Sequence, residues 1–123
     1  MQKEFKVNEN TNIKRTDVSN HNNVEHHYYV YENVPNNSVS GYCETHYADI
    51  SFQCGPIKEK GVNGCHLTDI LAICIDQLEQ FQSTKFACRE NAIAKTKLEE
   101  AMMWLNKRTA DRIARNVEGT DEV

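Results

Sequence analysis

The stretch FACRENAIAKTKLEEAMMWLNKRTADRIARN, from Phe86 to Asn116, contains neither glycine nor proline. A run of that length without a breaker reads as one continuous helix. Alternate steps of three and four from Asn91 reach Ala94, Leu98, Ala101, Leu105, Arg108 and Arg112. That is the seam of a helix packed along a second helix. The middle of the seam is small and apolar, as close packing requires. Its ends are an amide at one side and two guanidinium groups at the other. Packing alone would continue the apolar residues, so a polar or anionic group is expected at those ends.

The helix needs a partner, and the preceding sequence supplies one. From about His66 to Phe81 a first helix is predicted, with Leu67, Leu71, Cys74, Leu78 and Phe81 as its buried stripe and Ile70 beside it. Gln82–Lys85 is short enough that the second helix folds back antiparallel. Gly119 or Asn116 serves as the stop of the second helix. Upstream, GPIKEKGVNG reads as a loop, with three glycines and a proline. Before it, Ala48, Ile50, Phe52 and Cys54 alternate with Asp49, Ser51 and Gln53, a half-buried strand. HHYYVYENV, His26–Val34, is aromatic and β-branched and reads as another strand. Pro35-Asn36-Asn37-Ser38 is turn chemistry. The two strands form an antiparallel hairpin, with a third short piece near Tyr42–His46.

The fold class is therefore α+β: a small N-terminal antiparallel sheet followed by a long αα-hairpin. Residues 1–23 are polar and rich in asparagine (Asn8, Asn10, Asn12, Asn20, Asn22, Asn23). They are expected to be a loose arm, or a segment ordered only on a partner. A single domain over 24–123 follows, with sheet over 24–54, glycine-rich loop over 55–65 and helical hairpin over 66–118.

Composition narrows the function. The chain has 123 residues, a hydrophobic content of 39% and a net charge of −4; its mean hydropathy is −0.69 and its pI is near 5.7. Such low hydropathy predicts a core completed by another chain. An acidic balance disfavours DNA or RNA as partners, which usually need a basic field. A small phosphate ligand needs only a local cluster of donors. Met1–Asn10 has no apolar stretch, so a secretory leader is not expected. Ile70–Ile75 is far too short for the ~20 residues of a membrane span. Five cysteines, an odd number, are read as reduced thiols.

Each candidate feature has a plain structural reading beside the functional one. Arg108 and Arg112 complement a helix dipole near its C-terminus, or they form a forked clamp for phosphate oxygens. Phe81 closes the first helix as core, or offers its face to a base at the hairpin tip. Asn91 on a packed seam needs a partner in either account: backbone, a second chain or a ligand. Cys43-x-x-His46, Cys54 and Cys65-His66 match no common zinc spacing, so no metal is expected. His26-His27 lacks a nucleophile or acid partner at informative spacing, and Glu99-Glu100 diverge on a solvated face. GPIKEKGVNG is not a nucleotide-binding P-loop, though its backbone amides are a conceivable phosphate cradle.

Spacing also implies geometry. At ~1.5 Å per residue, Asn91 and Arg108 lie about 25 Å apart along one helix. If both seam ends serve one pocket, two hairpins must pack antiparallel. One chain's tip then meets the other's arginines, and a two-fold dimer has two equivalent pockets.

Two strings go beyond this. FQCGPIKEKGVNGC (Phe52–Cys65) and FQSTKFACRENAIAKTKLEEAMMWLNKRTADRIARNVEGT (Phe81–Thr120) resemble bacteriophage Thoeris anti-defence sponges. These proteins share a helical-hairpin region with anti-CBASS cyclic-nucleotide sponges. FACREN, KLEEA, W-L-x-x-R-T and N-V-E-G-T occur in order at family spacing, and the resemblance covers more than half the chain. Residues 1–23 show no such likeness.

What the resemblance implies is sequestration without catalysis. A cyclic ADP-ribose isomer, made by a host TIR-domain enzyme, is captured in the host bacterial cytoplasm before it activates its effector. No cofactor is implied, and the partners are the cyclic nucleotide and further copies of the chain, as a homodimer or higher homo-oligomer. The family's aromatic, asparagine and two arginines fall on Phe81, Asn91, Arg108 and Arg112. Phe81 would stack on adenine, with Arg108 on its other face. Arg112 would grip the pyrophosphate and Asn91 a ribose hydroxyl or phosphate. Lys85 would add charge at the tip, and Lys58 and Lys60 would serve a separate cyclic-oligonucleotide site. The rival readings are a hairpin adaptor that inhibits a host protein directly, a cyclic-oligonucleotide sponge acting on CBASS signalling, and an enzyme that cleaves the messenger through His26, His27 or His46.

Overall fold

The computed structural model describes residues 3–21, 24–32 and 45–123. In chain order these form strands β1 (Lys3–Phe5), β2 (Thr11–His21), β3 (Val24–Glu32) and β4 (His46–Ser51), then helices α1 (Ile57–Lys60), α2 (Leu67–Gln82) and α3 (Arg89–Ala114). The chain divides into two compact units, Met1–Gly64 and Cys65–Val123. The first holds the sheet and the second the helical hairpin.

The sheet is a four-stranded antiparallel meander in the order β1-β2-β3-β4. One row of paired residues crosses it as Phe5, Ile13, Val30 and Ala48. The next row on that face is Lys3, Arg15, Tyr28 and Ile50, with Phe52 set edge-on against Tyr28 at 5.7 Å. The opposite face is polar and aromatic: Glu4, Lys14, Tyr29 and Asp49 form one row, and Thr16, His27 and Ser51 another. Period-two alternation thus sorts the two faces. The predicted pairing of the HHYYVYENV and Ala48–Phe52 segments is present as β3 and β4. The turn at Pro35–Ser38 and most of the expected piece at Tyr42–His46 lie outside the described residues.

Residues 3–21 are two strands rather than a loose arm. The asparagines that suggested looseness include turn-forming ones. The Asn8 side-chain oxygen accepts from the backbone N–H of Asn10 at 2.9 Å, the backbone N–H of Thr11 at 3.0 Å and the Thr11 hydroxyl at 3.2 Å. That Asx-type turn reverses the chain between β1 and β2. The polar residues of β2 then face partners on β3, which only tertiary pairing supplies.

The loop after β4 contains one helical turn, α1, that the glycine content concealed. Two side chains brace it. Gln53 Nε2 donates to Gly61 O at 2.8 Å and its Oε1 accepts from Asn63 N–H at 3.0 Å. The Asn63 amide pairs with both backbone groups of Cys54 at 2.8 Å, in the manner of a strand. Gly64 packs directly on the Phe52 backbone, where a Cβ would come within 2.5 Å of its carbonyl carbon. No other residue fits at that approach.

In the second unit, Asp69 accepts from the His66 backbone N–H at 2.9 Å and so starts α2. Six residues, 83–88, turn the chain into α3. The Gln82 side chain clamps this turn by donating to Cys88 O at 3.0 Å and accepting from Cys88 N–H at 2.9 Å. The packed stripe of α2 differs from the predicted one. Leu67 is 57% exposed and Cys74 is exposed, whereas Leu71, Ile75, Leu78 and Gln82 are half-buried. Of the adjacent pair Cys74 and Ile75, the larger hydrocarbon takes the inward position, and this turns Gln82 toward its clamp. On α3 the predicted seam holds at Asn91, Leu98, Ala101, Leu105 and Arg112. Ala94 and Arg108 are exposed instead, and Lys95 lies half-buried, paired with Glu79 of α2 at 3.4 Å.

Among the described residues of this unit, the one buried side chain is Arg112. Two helices share a single seam, so Ile73, Phe86, Ile93, Met103, Trp104 and Ile113 stay open to solvent. Among the described residues, no helix is long and apolar enough to cross a membrane.

Candidate functional site

The C-terminal end of α3 is built around a Schellman turn. Asn116 takes the left-handed conformation at φ 60°, Val117 N–H donates to Arg112 O at 3.0 Å, and Asn116 N–H donates to Ile113 O at 3.0 Å. Asn116, and not Gly119, stops the helix. The chain then folds back along α3, and Arg112 is what holds it there. Its Nη1 donates to Glu122 O at 2.7 Å, and its Nη2 to Val117 O at 3.0 Å and Thr120 O at 3.1 Å. Its Nε lies 3.3 Å from Glu118 Oε2, near enough for ion pairing though not aligned as a hydrogen bond. A guanidinium has five N–H donors. With the residue only 7% exposed, most of them are spent inside the chain.

Arg108, one turn earlier, is the contrasting case. It is exposed and has no hydrogen-bond or ion-pair partner among the described residues. It lines a cavity of about 570 Å³ together with Trp104, Lys107, Asp111, Arg115 and the returning segment 120–123. Lys107 is neutralised by Asp111 at 3.0 Å, and Arg115 donates to Val123 O at 3.0 Å. The carbonyl end of a helix carries partial negative charge and by itself repels anions. Arg108 offsets that local sign with an open cation, in a cavity that Asp121 and Glu122 also line.

The other candidates lie at the opposite end of α3. Phe81 is 40% exposed and meets Phe86 edge-on at 6.5 Å. Lys85 Nζ sits 5.4 Å from the Phe86 ring. The Thr84 hydroxyl donates to Phe81 O at 2.7 Å and accepts from Phe86 N–H at 3.1 Å, which fixes the tip. Asn91 is half-buried, and its amide has no partner among the described residues. Within one chain Phe81, Lys85 and Asn91 thus lie toward the hairpin tip, and Arg108 and Arg112 toward the other end of α3, where both line the cavity. At ~1.5 Å per residue the two groups stand about 25 Å apart along a single unbroken helix.

Lys58 and Lys60 lie exposed on α1, in the first unit. The amides of Glu59, Lys60, Gly61 and Asn63 all donate within that loop, so they are not arranged as a phosphate cradle. Among the described residues no three His, Cys, Asp or Glu side chains gather as a metal site. His27 Nε2 lies 2.6 Å from Asp49 Oδ1 on the polar sheet face, a pairing that strand register creates and sequence spacing hid.

Sequence reasoning missed Trp104, Lys107, Arg115 and the returning tail as cavity walls. The signal was present for two of them. Trp104 and Arg115 share a helical spacing with Arg108 and Asp111.

Residues 44–110 match the family described as "Acb2/Tad1, hairpin domain". The match takes in β4, the braced loop, α2 and α3 as far as Ala110. The chain belongs to this family. A relative within reach of it is "Thoeris anti-defense 1" of Bacillus phage SBSphiJ7, 57% identical over 75 residues, which are 61% of this chain and 53% of the relative. The chain thus spans about half the length of that relative. Phe81, Lys85, Asn91, Trp104 and Arg108 lie inside the family segment, whereas Arg112 and the tail it holds lie just past its end.

Proposed function

We propose that this hairpin-domain protein is a phage anti-defence sponge that binds and sequesters a cyclic ADP-ribose isomer without turning it over. The observation that carries the reading is Arg108: an exposed guanidinium with no partner among the described residues, in a cavity large enough for a nucleotide. Membership of the Acb2/Tad1 hairpin family and the name of the Bacillus phage relative support it.

In this reading the ligand-binding residues are Phe81, Asn91, Arg108 and Arg112, with Lys85 adding charge. Phe81 stacks on the adenine, Arg108 contacts adenine or phosphate, Asn91 binds a ribose hydroxyl or phosphate, and Arg112 reaches the pyrophosphate with whatever donor capacity the tail leaves it. Because the two groups sit at opposite ends of α3, a complete pocket needs two antiparallel hairpins, and so a homodimer or a multiple of it. The exposed apolar residues of the hairpin suit such packing. Nanomolar capture requires about 12 kcal/mol, within reach of several charge-assisted bonds plus stacking. Lys58 and Lys60 are the residues proposed for any separate cyclic-oligonucleotide site. The site of action is the host cytoplasm.

The test is a thermal-shift titration with cyclic ADP-ribose isomers on wild type and Arg108→Ala, followed by heating and mass analysis of released ligand. A saturable shift for wild type, of the size expected from about 2.7 kcal/mol at a hundredfold excess over Kd, with intact ligand recovered, is the expected result. Altered ligand would indicate cleavage. No shift with any isomer would reject the reading and favour the adaptor that binds a host protein.

A further inference from the structure

We infer that the outer face of α2 docks into a groove on the outer face of α3 of a second copy, through a contact separate from the two-fold pairing invoked above. On α3, Arg89, Ala92, Ile93, Thr96 and Lys97 line a predominantly apolar cavity of about 350 Å³. Ile93 is 43% exposed there, and the Thr96 hydroxyl is spent on Ala92 O at 3.1 Å. The first and last residues of the groove are cations. Arg89 has no hydrogen-bond or ion-pair partner among the described residues. It stands in the first turn of α3, where the helix dipole disfavours positive charge. Lys97 meets Glu100 only at 4.0 Å. Open hydrocarbon between two such cations suits an apolar side chain flanked by carboxylates.

The chain itself carries that occupant. On α2, Ile73 is 64% exposed, with Asp69 and Asp76 before and after it. Both carboxylates are exposed. Asp69 accepts from the His66 backbone N–H at 2.9 Å and Asp76 from Gln80 Nε2 at 2.8 Å, and neither has a cation partner among the described residues. The spacings match. Arg89 and Lys97 each lie about 6 Å along the axis from Ile93, and Asp69 and Asp76 lie about 6 and 4.5 Å from Ile73. Laid antiparallel, with Ile73 on Ile93, the two helices set Asp76 against Arg89 and Asp69 against Lys97. Each patch lies opposite the half-buried seam of its own helix, Leu71, Ile75 and Leu78 on α2 and Asn91 and Leu98 on α3, so the two face away from each other. A hairpin therefore cannot fill its own groove, and one neighbour cannot cover both surfaces. The contact is heterologous and joins copies beyond a two-fold pair. It draws on none of the ligand-binding residues, so its failure leaves the function proposed above untouched.

The experiment measures particle mass by light scattering across a concentration series of the intact protein. Wild type is compared with Ile73→Glu, Asp76→Arg, Arg89→Asp and an equimolar mixture of the last two. Wild type is expected to exceed two chains. Ile73→Glu and each charge reversal should associate at least about tenfold more weakly. The mixture should regain the wild-type mass, because each reversed face then meets a reversed groove and each native face a native groove. All three positions are exposed, so the variants should stay as folded as wild type by circular dichroism, and recovery on mixing separates lost pairing from lost folding. Wild type that stays at two chains or fewer overturns the inference and leaves the groove to a different protein. Wild-type mass in the single variants, or no recovery in the mixture, overturns it as well.

Discussion

The two ends of α3 solve the same problem in opposite ways. At the tip, neutral groups do the work: Gln82 pairs with both backbone groups of Cys88, and the Thr84 hydroxyl bridges Phe81 and Phe86. The turn is rigid, and the aromatics and Asn91 are left for use. At the arginine end, one charged side chain holds an entire segment. Arg112 satisfies three carbonyls and faces a carboxylate, while its neighbour Arg108 is spent on nothing within the described chain. Two arginines four residues apart thus differ in kind. A guanidinium becomes a structural clasp where a returning chain supplies enough acceptors, and stays open to solvent where none reach it.

Replacing Arg112 should break that contrast most severely. Arg112→Ala removes a donor from the carbonyls of Val117, Thr120 and Glu122 and leaves Glu118 without its cation. A loss of about 2–3 kcal/mol is expected, discounted because Glu118 is partly exposed. Urea unfolding and amide exchange over residues 117–122 would both report it. A stability change under about 0.5 kcal/mol would show that the clasp does not hold the tail.

Arg108→Ala is the complementary cut. Stability should stay within about 0.5 kcal/mol of wild type, while affinity for a cyclic ADP-ribose isomer falls about a hundredfold, or roughly 2.7 kcal/mol. Equal losses of stability in Arg108→Ala and Arg112→Ala would erase the distinction between them.

At the tip, Gln82→Ala removes two bonds to Cys88 and should cost about 1–2 kcal/mol. Chemical unfolding would measure this, and Gln82→Glu would recover only the bond from Cys88 N–H. The smallest effect is expected mid-helix. Lys95→Met, which breaks the partly exposed pair with Glu79, should change stability by less than about 1 kcal/mol, and less still in high salt. A larger effect there would mean that the hairpin depends on charge rather than on its apolar seam.

Much of this was legible in the residues themselves. The helix over Phe86–Asn116 follows from the absence of breakers, and the alternation through Ala48, Ile50 and Phe52 marks β4 because period-two burial leaves no other reading. The run at His26–Val34 marked β3 through its aromatic and β-branched content. The stripe of α2 was misplaced by one residue because Cys74 and Ile75 both fit a helical period, and only packing against α3 chooses between them. Strands β1 and β2 were hidden because their polar side chains gain strand character only from paired neighbours. The candidate residues were legible as types at the ends of a seam, yet their spacing assigned Arg108 and Arg112 the same role.

The amino-acid sequence by itself determined the α+β order, the long helix, and the placement of an amide at one end and arginines at the other, since these depend on local periodicity and on residue chemistry. Only the tertiary structure decided that Asn116 turns the chain back, that Arg112 becomes buried by the carbonyls that return to it, and that Arg108 and Trp104 are left facing a cavity. Those outcomes depend on which backbone groups come within hydrogen-bond reach after the chain reverses, a long-range condition that no local pattern encodes.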